Sequence, residues 1–224
     1  MPGWLDDIIS SSEVLALLIP LIVLLVHRPA GPGIGYIKLY VVIAFVVNLA
    51  ATILWLFHNQ MPSWLRNNNI LYNIHSVLRV VFFGLYIIHA RSYKVGWLNK
   101  AALAAYCFFC VLNFSLWESP FFLSSNIFSA ESVALLIMCL SYFLSSIQDD
   151  SQTNWLKHPS FLICTGVIFY EAITFFIFLF FYPLYKKDIA FSLATMRIYA
   201  LTFVVLCILL GVALYRSKKP SAGA

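Results

Sequence analysis

The chain has 224 residues, of which 62% are hydrophobic and only 10% are charged, and its mean hydropathy is +0.89. A soluble domain carries roughly 25% charged residues, so this chain cannot cover a water-facing surface, and most of its solvent must be lipid. The net charge of +5 does not indicate nucleic-acid binding, because the basic residues stand singly in short loops and at the C-terminus, which is typical of membrane topology signals.

Seven apolar segments approach the length of about 20 residues that a helix needs to cross the hydrocarbon core. The predicted helices cover about residues 11–27, 36–57, 70–91, 98–117, 128–147, 159–182 and 188–215. Ser10 and Glu13 have capping-box spacing at the start of the first and shortest helix, and Pro20 predicts a kink in it. No linker rich in Pro, Gly or Ser divides the chain, so residues 1–224 are predicted to form one all-α seven-transmembrane helix bundle.

The loop charges predict the orientation of this bundle. The side predicted to be inside holds nine basic residues, and the outside holds three, which is a positive-inside bias. The inside set is Arg28, Lys38, Arg91, Lys94, Lys100, Lys157, Arg216, Lys218 and Lys219, and the outside set is Arg66, Lys186 and Lys187. The N-terminus is therefore expected outside and the C-terminus inside. The first 13 residues contain acids and no Lys or Arg, so we expect no cleavable signal peptide.

All five cysteines lie within apolar segments, and Cys107 and Cys110 form the only C-x-x-C pair. On a helix in lipid, two such residues are small apolar fillers more often than a metal or redox pair. We therefore expect no disulfide.

A few ionisable residues lie deep inside the predicted helices, where charges are costly and normally face a polar interior. Arg79 and Arg197 are each nine residues into a descending helix, or ~13 Å at 1.5 Å per residue. Glu171 is eleven residues from the outer end of its helix, or ~16 Å, and Asn48 is at ~13 Å. These four groups, from four helices, are predicted to share one layer in the outer half of the bundle.

Two helices carry polar residues along one face. On the third helix, one face holds Tyr72, His75, Ser76, Arg79, Phe83 and Tyr86. On the sixth helix, Cys164, Glu171 and Thr174 share a face in the same way. Nearer the outer surface, the mouth of a funnel is predicted from His58, Asn113, Glu118 and Glu131.

Three interpretations of the buried layer stay open. It is a structural ion pair, Arg79–Glu171 or Arg197–Glu171, that fixes helix packing, or it is an outward-facing pocket in which two Arg side chains hold a carboxylate or phosphate. The candidate ligand-binding residues are Arg79, Glu171, Arg197, His75, Tyr72, Asn48 and Glu131. A metal site is the weakest interpretation, because no two of the potential ligands His58, His75, Glu118 and Glu131 share a helix at ligand spacing.

Several chemistries lack their required residues. No Lys lies deep within a predicted helix to form a retinal Schiff base, and the motifs of serine hydrolases, zinc proteases and P-loop proteins are missing. Haem ligation between helices requires two inward His at similar depth, and His75 is the only inward candidate. We therefore expect no metal and no cofactor.

The order of the segments resembles a family of uncharacterised bacterial seven-helix membrane proteins. The resembling stretches are LYNIHSVLRVVFFGLYI (71–87), NIFSAESVALLIMCLSYFL (126–144) and HPSFLICTGVIFYEAITFFIFLF (158–180), the last with Pro159 at a helix start and Gly166 and Tyr170 in Gly-x-x-x-Tyr spacing. The resemblance covers most of the chain after about residue 36. It implies a sensory character, similar to seven-helix sensor modules that work beside kinases, but it implies no activity and gives Arg79 no role.

The sequence thus favours a multi-pass protein of the inner (plasma) membrane that is a receptor or sensor-type module for an anionic or lipid-like ligand, with a cytoplasmic or membrane signalling partner. An alternative is a membrane enzyme or carrier in which Glu171 transfers protons, although pairing with Arg would keep that carboxylate ionised. A further alternative is a structural partner subunit. Membrane lipids are expected contacts, and small residues on the second helix allow a homo-oligomer, namely Ala44, Asn48, Ala51 and Thr52.

Overall fold

A computed structural model describes residues 3–57, 60–62, 68–90, 96–148, 158–187 and 189–217, without the side chains of 3–11, 181–187, 189, 190, 192 and 193. The described residues form seven α-helices and no strand, which confirms the all-α prediction. The helices are α1 (Gly3–His27), α2 (Ile34–Leu56), α3 (Asn69–Ala90), α4 (Gly96–Leu112), α5 (Ser125–Ile147), α6 (Pro159–Lys187) and α7 (Ile189–Arg216). A π-helical turn, Asn113–Trp117, continues α4.

Six of these helices are long and apolar enough to cross a membrane. They are α2 to α7, and the π-helical turn extends α4 to Gly96–Trp117. The first helix differs, because its apolar part, Ser12–His27, is shorter than the others. Its backbone is already helical from Gly3, so Ser10 lies inside α1 and does not cap it. A multi-pass membrane protein is therefore supported by six helices, and a seventh span stays a prediction.

The orientation also stays a prediction. Many of the basic residues on which the predicted orientation depends lie outside the described residues, namely Arg66, Arg91, Lys94, Lys157, Lys218 and Lys219. The side chains of Lys186 and Lys187 are also not described. The end of the bundle at which α3 and α5 begin is the one predicted to face outside, and it is called the outer end.

The helices pack in chain order around the bundle. Each helix from α1 to α6 contacts the next one, and α1 also packs on α7, which closes the ring. The third helix also contacts α5, so it packs against three helices, α2, α4 and α5. The contact of α1 with α7 is close, since a Cβ atom added to Gly211 would lie 2.9 Å from Cγ2 of Ile19. Glycine at this position lets the two backbones approach.

The second helix shows how lipid-facing and buried faces separate. Its exposed large side chains follow one stripe that includes Val42, Val46 and Ile53, and apolar exposure of this kind suits contact with acyl chains. The opposite face buries Ala44, Asn48 and Ala51. These small residues therefore pack inside the bundle, and they no longer favour a homo-oligomer.

Candidate functional site

Three charged side chains from three helices meet in the interior and form the buried ion cluster: Arg79 of α3, Glu131 of α5 and Glu171 of α6. None is more than 1% exposed. Nε of Arg79 donates a hydrogen bond to Oε1 of Glu131 and lies 3.8 Å from Oε1 of Glu171. Glu131 is therefore the direct partner of the guanidinium, and Glu171 is a second, more distant carboxylate.

Neighbouring hydroxyl groups hold the cluster in place. Ser76, one turn before Arg79 on α3, donates to Oε2 of Glu131. Nη1 of Arg79 donates to the hydroxyl of Tyr170 at 2.6 Å, and its guanidinium carbon lies 4.7 Å from the centre of the same ring. Oγ of Ser132 lies 2.7 Å from Oε2 of Glu171. Arg79 is thus bound by a carboxylate, a phenol and an aromatic face, so its charge is largely compensated within the protein.

The predicted position of Glu131 was wrong. It was expected at the mouth of a funnel, whereas its side chain is fully buried against Arg79. The physical reason is that α5 begins at Ser125, three residues before the predicted start, and Ser124 caps it by accepting from the amide of Ile127 at 3.1 Å. Side chains also lean toward the N-terminus of their helix, so the long side chain of Arg79 reaches toward the outer end and meets Glu131.

Three other candidate ligand-binding residues lie in separate environments. Asn48 is buried, and its amide donates to the carbonyl of Ala44 at 2.9 Å within its own helix. His75 is buried 3.3 Å from the hydroxyl of Tyr40. Arg197 is half-buried on α7, and the two described ion pairs of the cluster both belong to Arg79. The predicted pair Arg197–Glu171 is therefore not formed among the described residues.

A cavity of about 330 Å³ opens at the outer end and is called the outer cavity. This volume falls within the range of ligand pockets, about 300–1,000 Å³. Its walls come from six helices, all except α4, and from the segments that join them: Glu13, Ala51, Thr52, Trp55, Asn68, Asn69, Tyr72, Leu123, Phe128, Phe178, Met196, Tyr199 and Ala200. The described lining holds the carboxylate of Glu13 and no Lys or Arg. Of the seven predicted ligand-binding residues, Tyr72 alone belongs to it.

Aromatic side chains connect the outer cavity to the buried ion cluster. The rings of Phe128 and Phe178 stack at 4.4 Å, and Phe178 contacts Tyr199 at 5.6 Å. The ring of Tyr199 in turn lies 5.7 Å from the ring of Tyr170, whose hydroxyl accepts from Arg79. Tyr170 is therefore the one residue between Tyr199 of the cavity wall and the guanidinium of Arg79.

A second polar network closes part of the outer end, where the sequence predicted an open mouth. Ser124 donates to the carboxylate of Glu118, and Asn113 donates to both residues at 3.1 and 3.2 Å. Asn73 donates to the carbonyls of Pro120 and Phe122 at 2.9 and 2.8 Å. Asn113 and Glu118 thus tie the loop before α5 to the bundle. His58, the other predicted member of the mouth, lies outside the described residues.

Sequence reasoning missed Asn73, Glu13 as a cavity residue, and the central role of Glu131. Asn73 stands three residues before Ser76, so helical spacing places it on the polar face of α3 and was a usable signal. Glu13 shares its helical face with Ala16 and Leu17, which are buried, and this pattern indicates an inward side chain. No group of three His, Cys, Asp or Glu side chains suited to a metal occurs among the described residues.

Comparisons with family models, with curated proteins and with solved structures found no match to this chain. The resemblance to seven-helix sensor modules therefore stays a prediction from the sequence.

Proposed function

We propose that this protein is a receptor or sensor-type module of the inner (plasma) membrane that binds an amphipathic ligand with a cationic head in the outer cavity. The observation that carries the proposal is the composition of that cavity. Glu13 supplies a carboxyl group that can ionise, and aromatic rings form much of the wall, including Trp55, Phe128 and Tyr199. A carboxylate beside aromatic faces is the chemistry that recognises an organic ammonium ion.

The geometry disfavours the anionic ligand that the sequence suggested. Arg79 was expected to hold the anion, but it is 1% exposed, and its Nε and Nη1 atoms already donate to Glu131 and Tyr170. An anion in the outer cavity would meet Glu13 and no described cationic side chain. A cation is therefore the better electrostatic match.

The contact between Tyr199 and Tyr170 offers a route for a signal. A ligand against Tyr199 would change the packing of α7 on α6, and Tyr170 is bonded to Arg79 of α3. By shifting the contact between Tyr199 and Tyr170, the ligand would favour one arrangement of α3, α6 and α7 over another, as a receptor requires. A signalling partner on the other side of the membrane would respond to the changed packing of these helices.

The test uses the protein purified in a neutral detergent, with thermal unfolding followed by tryptophan fluorescence. The probe is benzyltrimethylammonium, and its uncharged carbon isostere, neopentylbenzene, is the matched control. Binding to the folded state alone raises the melting temperature with ligand concentration. We expect a rise with the ammonium probe, little with the isostere, and loss of the difference in Glu13→Gln.

A second carboxylate variant makes the test specific. Glu118→Gln changes a carboxylate at the outer end that does not line the outer cavity, so the ammonium probe should still stabilise it. Benzenesulfonate serves as the anionic probe. Stabilisation by benzenesulfonate in place of the ammonium would contradict the proposal and restore the anionic interpretation. No response to any probe would also contradict binding of an organic ammonium ion in the outer cavity.

A further inference from the structure

The buried ion cluster holds two carboxylates and one guanidinium. Glu131 and Glu171 are both 0% exposed, and Arg79 is the cation that contacts them. If both acids were ionised, the cluster would carry a net negative charge away from water, which is strongly unfavourable. A proton on one of the two acids removes this excess charge.

Hydrogen bonding identifies which acid carries the proton. Glu131 accepts from two donors, Arg79 and Ser76, as an ionised carboxylate should. Glu171 is different, because Nε of Arg79 is 3.8 Å away, beyond hydrogen-bond distance. Its Oε1 atom has no hydrogen-bond partner among the described residues.

The contacts of Ser132 can accommodate that proton. Its Oγ atom lies 2.7 Å from Oε2 of Glu171 and 3.2 Å from the carbonyl oxygen of Phe128. A serine hydroxyl has one hydrogen and can also accept. When that hydrogen points to the carbonyl of Phe128, which can only accept, the hydrogen in the 2.7 Å contact must come from Glu171.

We propose that Glu171 is a proton-binding site: it is a carboxylic acid that donates from Oε2 to Ser132, while Glu131 is the carboxylate that holds Arg79. This inference concerns the bundle interior and does not depend on a ligand in the outer cavity. The titratable and charged groups that face Glu171 are Arg79 on α3, Glu131 and Cys139 on α5, and Tyr170 on α6, with Tyr199 of α7 packed on Tyr170.

Release of this proton would change the partner of Arg79. The O–H bond of Glu171 breaks, the electron pair stays on the carboxylate, and the proton passes to water. The new negative charge is 3.8 Å from Nε of Arg79, so it competes with Glu131 for the guanidinium. A guanidinium that turns toward Glu171 gives up part of its contact with Glu131, so the protonation state would control the contacts of α3 with α5 and α6.

Infrared spectroscopy of the full chain in lipid nanodiscs tests this directly. A buried carboxylic acid has a carbonyl stretch that is separate from the carboxylate and amide bands and that shifts on transfer to deuterated water. We expect such a band in the unaltered protein at neutral pH and its loss in Glu171→Gln. On raising the pH of the unaltered protein, this band should disappear while carboxylate absorption grows, and this measurement needs no variant to fold.

Two other variants sharpen the assignment. In Glu131→Gln, Glu171 becomes the acid nearest to Arg79 and should ionise, so the band should be lost although Glu171 is present. In Glu13→Gln, the band of Glu171 should persist, because Glu13 lies in the outer cavity. An unaltered protein without any acid band, or an acid band with the same intensity in Glu171→Gln as in the unaltered protein, would overturn the proposal. These results do not depend on the ammonium probe, so each proposal fails separately.

Discussion

Substitution of Arg79 by Met removes the cation of the buried ion cluster and keeps a side chain of similar length. Glu131 then loses its guanidinium donor, and the hydroxyl of Tyr170 loses the donor at 2.6 Å. Removing one partner of a buried ion pair costs about 3–5 kcal/mol. We expect Arg79→Met to lower the free energy of unfolding by that amount.

The two glutamates should respond differently. Glu131→Gln removes the charge that compensates Arg79, so it should also be strongly destabilising. Glu171→Gln replaces a neutral acid by a neutral amide that still reaches Ser132, so it should cost less than about 1 kcal/mol. In double-mutant cycles, the coupling energy of Arg79 with Glu131 should approach about 2–3 kcal/mol, and that of Arg79 with Glu171 should stay below about 0.5 kcal/mol.

The assay is unfolding by sodium dodecyl sulfate in mixed micelles at constant pH, followed by helical circular dichroism. A coupling energy for Arg79 with Glu171 that equals or exceeds the coupling with Glu131 would refute the assignment of partners. Unchanged stability of Arg79→Met would refute the ion pair itself as a source of stability.

Three further expectations concern packing, the outer end and pH. Gly211→Ala should lower the free energy of unfolding by about 1–3 kcal/mol, because the added Cβ would lie 2.9 Å from Cγ2 of Ile19. The control is Gly35→Ala, whose Cβ would have no atom within 4 Å, and which should leave stability unchanged or raise it in the same unfolding assay. Asn73→Ala removes donors to two loop carbonyls and should speed amide hydrogen exchange in the loop before α5 without changing exchange in α7; equal exchange in both proteins would contradict this role. Burial lowers the pKa of His158 from its usual 6.5, so the unfolded chain binds more protons, and stability should fall as the pH drops through 6.5. This part of the pH dependence should vanish in His158→Asn, and a profile that stays the same would show that another group causes it.

The helices were predictable because lipid imposes a simple rule on sequence. A span needs about 20 apolar residues, and each predicted segment from 36–57 onward corresponds to a helix whose bounds differ by at most five residues. The first segment was harder, because its acidic beginning does not signal lipid, yet the helix extends back to Gly3. Length and hydropathy describe the part of a helix that lies in lipid, and they do not show where hydrogen bonding along the backbone begins.

Part of the site was also visible in the sequence. Arg79 and Glu171 were identified because charges within apolar segments are costly and must be compensated by polar partners. Helical spacing placed Ser76 beside Arg79, and the structure makes both of them partners of Glu131.

The partners themselves depended on tertiary structure. Counting residues from helix ends gives depth along the bundle, but it gives neither the rotation of each helix nor the direction of a long side chain. Arg197 and Arg79 were predicted at the same depth, yet the described ion pairs of the cluster involve Arg79 alone. Glu131 was predicted near the surface and is fully buried.

Composition and periodicity are enough to predict that this protein is helical, that most of its surface suits lipid, and that charges must be enclosed within it. The packed helices were needed to show that Arg79 faces Glu131, that Glu171 lies just beyond hydrogen-bond distance of Arg79, and that Glu13 lines a cavity among aromatic rings. These contacts join residues from different helices, and their distances depend on how the helices are rotated and packed against each other.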